Sequence, residues 1–388
     1  MDDLRFLEEL DNLCTRPFLI EAMVFVHDEQ HEDLDEIPGR YLHEVKRSLF
    51  RRVPSADDGY LRYETHPFVT SDNYAIRLYR RRPAPNTAPR NRPILFLHGA
   101  NSNRFCFGLK ENASFTGFLN RQGYDVWVLE FRGSRSSQYL GSGKAPQNLD
   151  AKIAIDLPEA IQQVLKKTGA KKVDLLGHSL GGIFIYAHLG AHPDAPVGRA
   201  VAVCAPAHVR RFFGGVSKAL KIPARVLAPI APFLPGLGVH RLAKLKGPLP
   251  HLAVFARHIE KGSMDRHERR QYLDRAVEDM KGGDLGQLMR WFGEGELTTQ
   301  EGASYYDVFA RMRHPILLIG SDKDNIAEPD AVREAYNRLG SRHKKLLFVG
   351  KRFGSSRNYA HQDLLLAPDA NQDVYPLAHR WLSQDTEH

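Results

Sequence analysis

The chain has 388 residues, of which 42% are apolar and 26% are charged, a composition typical of folded globular proteins and not of disordered or fibrous chains. The formal net charge is +8. The basic residues carry no nucleic-acid-binding motif and do not alternate with aromatic residues, so we expect no nucleic-acid partner. No apolar run approaches the roughly 18 residues that a membrane-spanning helix needs.

The N-terminus and the cysteines bear on localisation. The chain starts with the acidic Met1-Asp2-Asp3, whereas a secretory signal starts with basic residues and continues as an uninterrupted apolar stretch. An odd number of widely separated cysteines favours reduced thiols over a disulfide framework. These cysteines are Cys14, Cys106 and Cys204. Both features predict a cytoplasmic protein.

The charges are unevenly distributed along the chain. Residues 1–35 contain eleven Asp and Glu against two Arg, whereas residues 205–261 contain ten Lys and Arg against one Glu. A helical extension is predicted over residues 1–60, because apolar residues recur every three positions from Leu4 onward. The stretch His27-Asp28-Glu29-Gln30-His31-Glu32-Asp33 allows two interpretations, a metal site and a solvated helix.

Two strands, residues 61–65 and 74–80, are predicted around the turn-forming Ser71-Asp72-Asn73. From residue 93 onward, short apolar runs alternate with helical segments, a pattern typical of a parallel sheet that is buried on both faces. The predicted strands in this part are residues 93–97, 125–129, 173–176, 200–204, 314–320 and 345–349, and the predicted helices are residues 115–121, 153–167, 180–189, 329–339 and 374–382.

The alternation stops at residues 208–301, where the sequence is helical and irregular, with a Pro-rich centre at residues 227–235. We therefore expect a helical lid or cap inserted into one α/β core. The predicted divisions are an N-terminal helical extension at residues 1–60, a first part of the core at residues 61–207, the insertion, and a second part of the core at residues 302–388.

The strongest motif is Gly177-His178-Ser179-Leu180-Gly181, which lies between an apolar strand and a helix. A nucleophile on such a sharp turn has a strained backbone, and the close packing requires small residues two positions before and after it. The turn also places Ser179 at a helix N-terminus, where backbone N–H groups stabilise negative charge. Ser179 is therefore the candidate nucleophile. A phosphate-binding loop is less consistent with the sequence, because no Lys follows the glycines.

Acyl transfer also needs two N–H donors directed at the oxyanion that forms in the transition state. One candidate is the backbone N–H of Leu180, directly after the nucleophile. The other is expected in the loop Leu97-His98-Gly99-Ala100-Asn101, where Ala100 is the candidate. The His98 ring allows two interpretations, a direct role in the site and a packed structural histidine.

An acid and then a base follow a nucleophile of this kind along the chain. Two acids, Asp322 and Asp324, come after the predicted strand at residues 314–320. We favour Asp324, because it lies just before the apolar Ile326-Ala327 that would re-enter the core, whereas Asp322 would face solvent. No acid follows the strand that ends at Cys204, which removes the usual alternative position.

The candidate base is His361, in the loop between the last predicted strand and the last predicted helix. His343 precedes that strand and His379 lies within that helix, so neither fits. The base must accept the Ser179 proton and return it to the leaving group. We therefore expect activity to rise with pH as the His361 imidazole becomes neutral.

Together these segments resemble the α/β-hydrolase superfamily over residues 93–207 and 313–382. Three segments are similar to its acid-lipase branch: Gly123-Tyr124-Asp125-Val126-Trp127 followed by Arg132-Gly133, Asp324-Asn325-Ile326-Ala327-Glu328-Pro329, and His361-Gln362-Asp363-Leu364. The resemblance implies an α/β-hydrolase fold, with a mostly parallel central sheet flanked by helices, an inserted helical lid or cap and an N-terminal helical extension. It also implies a Ser179–Asp324–His361 triad and hydrolysis of carboxylic esters.

The first functional hypothesis is an esterase or lipase that cleaves a small, hydrophobic acyl ester through an acyl-enzyme. Apolar residues of the insertion would line an acyl pocket, and its basic residues would contact an anionic membrane surface peripherally. An ordinary helical cap is the alternative interpretation of the insertion. The second hypothesis is an acyltransferase or thioesterase with the same triad, and the third is a non-catalytic binding protein on this fold. We expect neither a cofactor nor a metal.

Overall fold

The computed structural model describes residues 62–109, 114–143, 145–209, 259 and 263–384. Within these ranges, nine strands form one sheet in the order β1-β2-β4-β3-β6-β7-β8-β9, with β5 paired to β2. The strands are β1 Glu64–Val69, β2 Tyr74–Arg81, β3 Ile94–Leu97, β4 Val126–Glu130, β5 Gln138–Tyr139, β6 Val173–His178, β7 Val197–Val203, β8 Ile316–Ser321 and β9 Lys344–Val349.

In the order of the sheet, strands β4, β3, β6, β7, β8 and β9 pair in parallel, and β1, β2 and β5 add an antiparallel edge. Every residue of β3, β4, β6, β7 and β8 is buried. This burial is the physical reason for the continuous apolar runs, since both faces of these strands are covered by helices. The predicted mostly parallel α/β sheet is confirmed.

The helices of the described residues occupy the connections between the strands. The α-helices are α1 Phe115–Arg121, α2 Leu149–Ala151, α3 Leu157–Thr168, α4 Leu180–Ala191, α5 Arg266–Ala276, α6 Gly282–Glu294, α7 Tyr305–Phe309, α8 Pro329–Arg338, α9 Asp363–Leu366, α10 Ala370–Asp373 and α11 Tyr375–Leu382. Helix α4 packs against β6 and β7, and α8 packs against β8 and β9. These connections bring the carboxyl ends of the parallel strands to one edge of the sheet.

Several predicted boundaries differ from the structure by one or two residues, and three elements differ by more. Strand β1 starts at Glu64, three residues later than predicted, and continues through Pro67. Proline has no N–H to donate to a neighbouring strand, and β1 tolerates it because it lies at the edge of the sheet. The predicted helix at residues 153–167 is divided, because a π-helical turn at Lys152–Asp156 precedes α3. Strand β7 starts at Val197, before the predicted residue 200.

The longest described stretch of the insertion, residues 263–301, contains α5 and α6 between β7 and β8. Helix α5 starts with a reciprocal capping box, in which Asp265 and Glu268 each accept from the other's backbone N–H. The N-terminal extension, the candidate metal stretch at residues 27–33 and the Pro-rich centre at residues 227–235 lie outside the described residues. The division into domains stays a prediction. No helix of the described residues is long and apolar enough to cross a bilayer.

Candidate active site

Ser179 lies on a sharp turn between the last residue of β6 and the first residue of α4. Its backbone angles are φ 54° and ψ −120°, in a region that residues with a side chain rarely adopt. The turn is held by hydrogen bonds on both sides: Ser179 N–H donates to the Val203 carbonyl at 2.9 Å, and its own carbonyl accepts from Gly182 N–H at 3.0 Å. The strain is thus maintained by the adjoining strand and helix.

The two flanking glycines of the motif are required by the packing of this turn. A Cβ on Gly177 would lie 2.4 Å from backbone atoms of Gly181, and a Cβ on Gly181 would lie 2.1 Å from the carbonyl oxygen of Leu97. Both distances are far below van der Waals contact. The structure therefore confirms that these positions need small residues, as the close packing of the motif predicted.

The loop after β3 approaches the candidate nucleophile closely. A Cβ on Gly99 would lie 3.0 Å from the Ser179 Cβ, so the absence of a side chain there lets the loop pass beside the turn. Ala100 follows in this loop and is half-buried, while Leu180 opens helix α4 on the other side of Ser179. The two proposed N–H donors therefore flank the candidate nucleophile from two different elements.

His361 and Asp324 form a buried pair on the loops that follow β9 and β8. The His361 Nδ1 lies 2.7 Å from the Asp324 Oδ2, and both side chains are almost fully buried. The other carboxylate oxygen, Oδ1, accepts from the backbone N–H groups of Ile326 at 2.8 Å and Ala327 at 3.0 Å. Burial alone would raise the pKa of Asp324, but the His361 charge and these hydrogen bonds outweigh it and hold that pKa below its ordinary value.

The competing acid, Asp322, occupies a different place. It is half-buried, and its Oδ1 lies so close to Gly350 that a Cβ there would be 2.3 Å away. Asp322 thus faces the end of β9, and among the described residues it is Asp324 that the structure joins to His361. The role of Asp324 as the orienting acid stays a prediction, and its contact with His361 is the observation that bears on it.

Cys204 lies beside this pair, at the end of β7. Its sulfur, a carboxylate oxygen of Asp324 and a ring nitrogen of His361 all lie within 4.8 Å of one another. Burial and the Asp324 charge raise the pKa of the Cys204 thiol well above its ordinary value, and the protonated thiol hydrogen-bonds to the carboxylate. All three residue types occur as metal ligands, and in this structure the thiol donates a hydrogen bond to the Asp324 carboxylate. Sequence reasoning missed this contact.

Glu278, in the insertion, hydrogen-bonds to the loop after β3 and to the segment after β4. The carboxylate accepts from Asn103 Nδ2 at 2.7 Å and from Arg135 N and Nε, both at 3.1 Å. Its backbone N–H donates to the Asn101 carbonyl at 2.8 Å. The loop that carries Ala100 is therefore fastened to the insertion as well as to the sheet.

The chain matches the model of the alpha/beta hydrolase family over residues 94–370. Among curated proteins it is similar to Lipase 3 of Drosophila melanogaster, with 33% identity over 36% of this chain and 37% of the relative. It is also similar to the gastric triacylglycerol lipase of Bos taurus, with 34% identity over 30% of this chain and 32% of that relative. These two alignments span about a third of the length of the curated relatives they match.

A longer alignment is found with the gastric triacylglycerol lipase of Mus musculus, at 26% identity over 80% of this chain and 86% of the relative. Among solved structures, the fold is similar to a monoacylglycerol lipase from Paleococcus ferrophilus, with a TM-score of 0.53 and 17% identity over 79% of this chain and 98% of the other. It is also similar to an enol-lactonase from Burkholderia xenovorans LB400, with a TM-score of 0.55 and 15% identity over 82% of this chain and 100% of the other. The family match covers most of the sheet and its connections, so this chain belongs to the alpha/beta hydrolase family.

Proposed function

We propose that this protein hydrolyses carboxylic esters with Ser179 as nucleophile, His361 as general base and Asp324 as the orienting acid. The observation that carries the proposal is the buried 2.7 Å contact between His361 and Asp324 at the edge of the sheet where β6 delivers Ser179. The curated relatives named as lipases support the same reaction type.

The geometry supports a two-step mechanism. A carboxylate can only accept a hydrogen bond, so Nδ1 of neutral His361 carries the proton towards Asp324 and Nε2 presents its lone pair. The Ser179 Oγ attacks the ester carbonyl as its proton passes to Nε2, and the N–H groups of Ala100 and Leu180 stabilise the oxyanion. Collapse of the tetrahedral intermediate expels the alcohol, which takes the proton from His361. Water then attacks the acyl-enzyme by the same route and releases the acid.

We further propose a hydrophobic acyl group on the substrate. The curated relatives named as lipases support this proposal. Two buried aromatic side chains, Phe131 and Phe184, line a small cavity beside Ala100 and Leu180. Contact of the basic segment at residues 205–261 with a membrane stays a prediction, because most of that segment lies outside the described residues.

A labelling experiment tests the role of Ser179. Wild type should react with a fluorophosphonate probe and cleave p-nitrophenyl butyrate, whereas Ser179→Ala should not be labelled and should lose about 10³-fold or more in kcat. Ser142→Ala, at an exposed serine, is the matched control and should behave as wild type. Labelling of Ser179→Ala, or full activity in it, would contradict the proposal. Transfer of the acyl group to an added alcohol or thiol in preference to water would identify a transferase instead.

A further inference from the structure

We infer that Glu278 of the insertion is a positioning residue for the ester hydrolysis, because it holds the loop after β3 in the arrangement that directs the Ala100 N–H at the oxyanion. The inference rests on the proposed function and adds a residue that acts through Ala100 without touching the substrate. It gives the insertion a part in the chemical step.

The backbone on either side of Ala100 is held by hydrogen bonds. His98 Nδ1 lies 2.9 Å from the Gly99 carbonyl oxygen, which accepts the bond. A peptide group is planar, and in the trans form its N–H points away from its carbonyl oxygen, so this contact orients the Ala100 N–H. On the other side, the Asn101 carbonyl accepts from the backbone N–H of Glu278 at 2.8 Å. The direction of the Ala100 N–H therefore depends on both contacts.

Asn101 has a backbone conformation that neighbouring contacts must impose. Its φ is 51°, in the left-handed region that residues with a side chain rarely adopt, although Asn tolerates it better than most. Such a conformation persists only where the surrounding structure enforces it. Here the insertion supplies such contacts, because an antiparallel bridge joins Ser102 to Val277 beside the bond from the Glu278 N–H. Loss of these contacts would let the loop relax.

The Glu278 carboxylate fixes the next part of the same loop through Asn103. Both side chains are buried, and the Glu278 Oε1 accepts from Asn103 Nδ2 at 2.7 Å. The same Nδ2 donates to the Arg275 carbonyl at 2.7 Å, and the Asn103 Oδ1 accepts from the Phe105 N–H at 3.0 Å. The amide group of Asn103 is thus held from the insertion at one end and from its own turn at the other, two residues beyond Asn101.

Arg135 holds the Glu278 carboxylate from a third segment, the one after β4. Its backbone N–H donates to the Glu278 Oε2 at 3.1 Å, and its Nε lies 3.1 Å from each carboxylate oxygen. A buried carboxylate is stable only when it is well hydrogen-bonded, and these donors meet that need. Both oxygens are occupied by donors of the protein, an arrangement that serves positioning and not proton transfer.

Glu278 lies close enough to the proposed reaction centre for a shift of its contacts to matter. Ala100, Asn101, Leu180 and Glu278 all line one cavity. An oxyanion is stabilised only by donors within about 2.7–3.1 Å of it, and removal of one donor costs about 10²–10³-fold in kcat. A displacement of about 1 Å at a distant contact can cost about 10²-fold. We therefore expect loss of the Glu278 side chain to slow the reaction by at least about tenfold.

Glu278→Ala in the full chain measures this contribution with p-nitrophenyl butyrate. The kcat is expressed per Ser179 labelled to completion by the fluorophosphonate probe, so that a loss of folded protein does not count as a loss of rate. The variant should lose at least about tenfold in kcat per labelled site, with KM within about threefold of wild type. The matched control Asp274→Ala removes an exposed carboxylate from α5 of the same insertion and should behave as wild type.

A transition-state analogue shows whether the lost rate is lost oxyanion stabilisation. When propyl trifluoromethyl ketone binds, the Ser179 Oγ bonds to the carbonyl carbon, the hydroxyl proton passes to His361 and the carbonyl oxygen becomes an oxyanion. Its affinity therefore reports on the oxyanion donors. In Glu278→Ala the Ki of this ketone should rise by about the factor by which kcat/KM falls. A loss of rate per labelled site with an unchanged Ki would overturn the inference.

Asn103→Ser provides an independent variant of the same contact. Its shorter side chain can still accept from the Phe105 N–H, but its single hydrogen cannot serve both Glu278 and Arg275. Where Glu278→Ala gives no labelled protein, Asn103→Ser decides by the same two measurements. A loss below about tenfold in the deciding variant overturns the inference and leaves the proposed hydrolysis intact. If wild type cleaves no ester and the probe does not label Ser179, the proposed function fails and the inference falls with it.

Discussion

Burial of a neutral His98 makes a quantitative prediction about folding stability. The pKa of His98 falls from the ordinary 6.5 to about 4, because burial disfavours the charged ring more than the Gly99 carbonyl favours it. Between these values the unfolded chain binds a proton that the folded protein does not, so stability is lost as the pH falls. Each tenfold change in proton affinity corresponds to about 1.4 kcal/mol, so lowering the pH from about 7.5 to about 5 removes roughly 2 kcal/mol through this side chain.

Urea unfolding of wild type and His98→Phe at the two pH values measures this contribution. Phenylalanine keeps the edge contact with the Phe131 ring, whose centroid lies 5.2 Å away, but cannot titrate. Comparing the loss of stability between the two pH values cancels the pH-independent cost of the substitution and the titration of other histidines. Wild type should lose about 2 kcal/mol more than the variant. The control variant His343→Gln, at an exposed histidine, should lose as much free energy of unfolding between the two pH values as wild type. Equal losses in wild type and His98→Phe would refute a buried, neutral His98.

Three further predictions concern the site and its frame. Asp324→Asn should fold and lose about 10⁴-fold in kcat on p-nitrophenyl butyrate, because the amide favours the wrong His361 tautomer. Asp322→Asn should stay within about tenfold of the wild-type kcat. Similar losses in the two variants would contradict the assignment of Asp324 as the orienting acid. Gly181→Ala should give no stable, labelled enzyme, because its Cβ would lie 2.1 Å from a backbone oxygen of β3, and normal fluorophosphonate labelling would contradict this packing. Burial raises the pKa of Glu130, but the Arg104 charge outweighs it and the pKa lies below the usual 4.5. The ionised Glu130 stabilises the fold fully above its pKa in the unfolded chain, and this stabilisation is lost as the pH falls through its pKa in the folded protein. In urea unfolding, Glu130→Gln should therefore lower the free energy of unfolding more at about pH 7 than at about pH 3.5. An equal loss at both pH values would contradict the lowered pKa.

The features that could be predicted from the sequence are those set by local pattern. Helix α1 begins and ends where the apolar spacing places it, and the glycines around Ser179 follow from the crowding of the turn alone. The pairing of Asp324 with His361 could be anticipated because the carboxyl ends of parallel strands meet at one edge, which brings together loops that are far apart along the chain.

The features that sequence reasoning missed depend on contacts between distant segments. Asn103, which donates a hydrogen bond to Glu278, lies 175 residues away along the chain. The sequence of the insertion contains no pattern that distinguishes the glutamate that hydrogen-bonds to a loop of the core. The contact of Cys204 with Asp324 also depends on the neighbouring positions of β7 and β8 in the sheet. The π-helical turn before α3 was missed because its apolar spacing matches an ordinary helix.

The pairing of β7 with β8, in which Val203 lies beside Ile319, has a consequence for synthesis of the chain. About 112 residues separate the two strands. A ribosome adds roughly 5–20 residues per second, so β8 is synthesised about 6–22 s after β7. The fully buried residues of β7 present an unpaired, apolar strand edge during that time. We expect a nascent chain arrested before β8 to bind a holdase chaperone, and release of the complete strand to end that binding. The length of the insertion therefore sets the interval during which this protein is most exposed to aggregation.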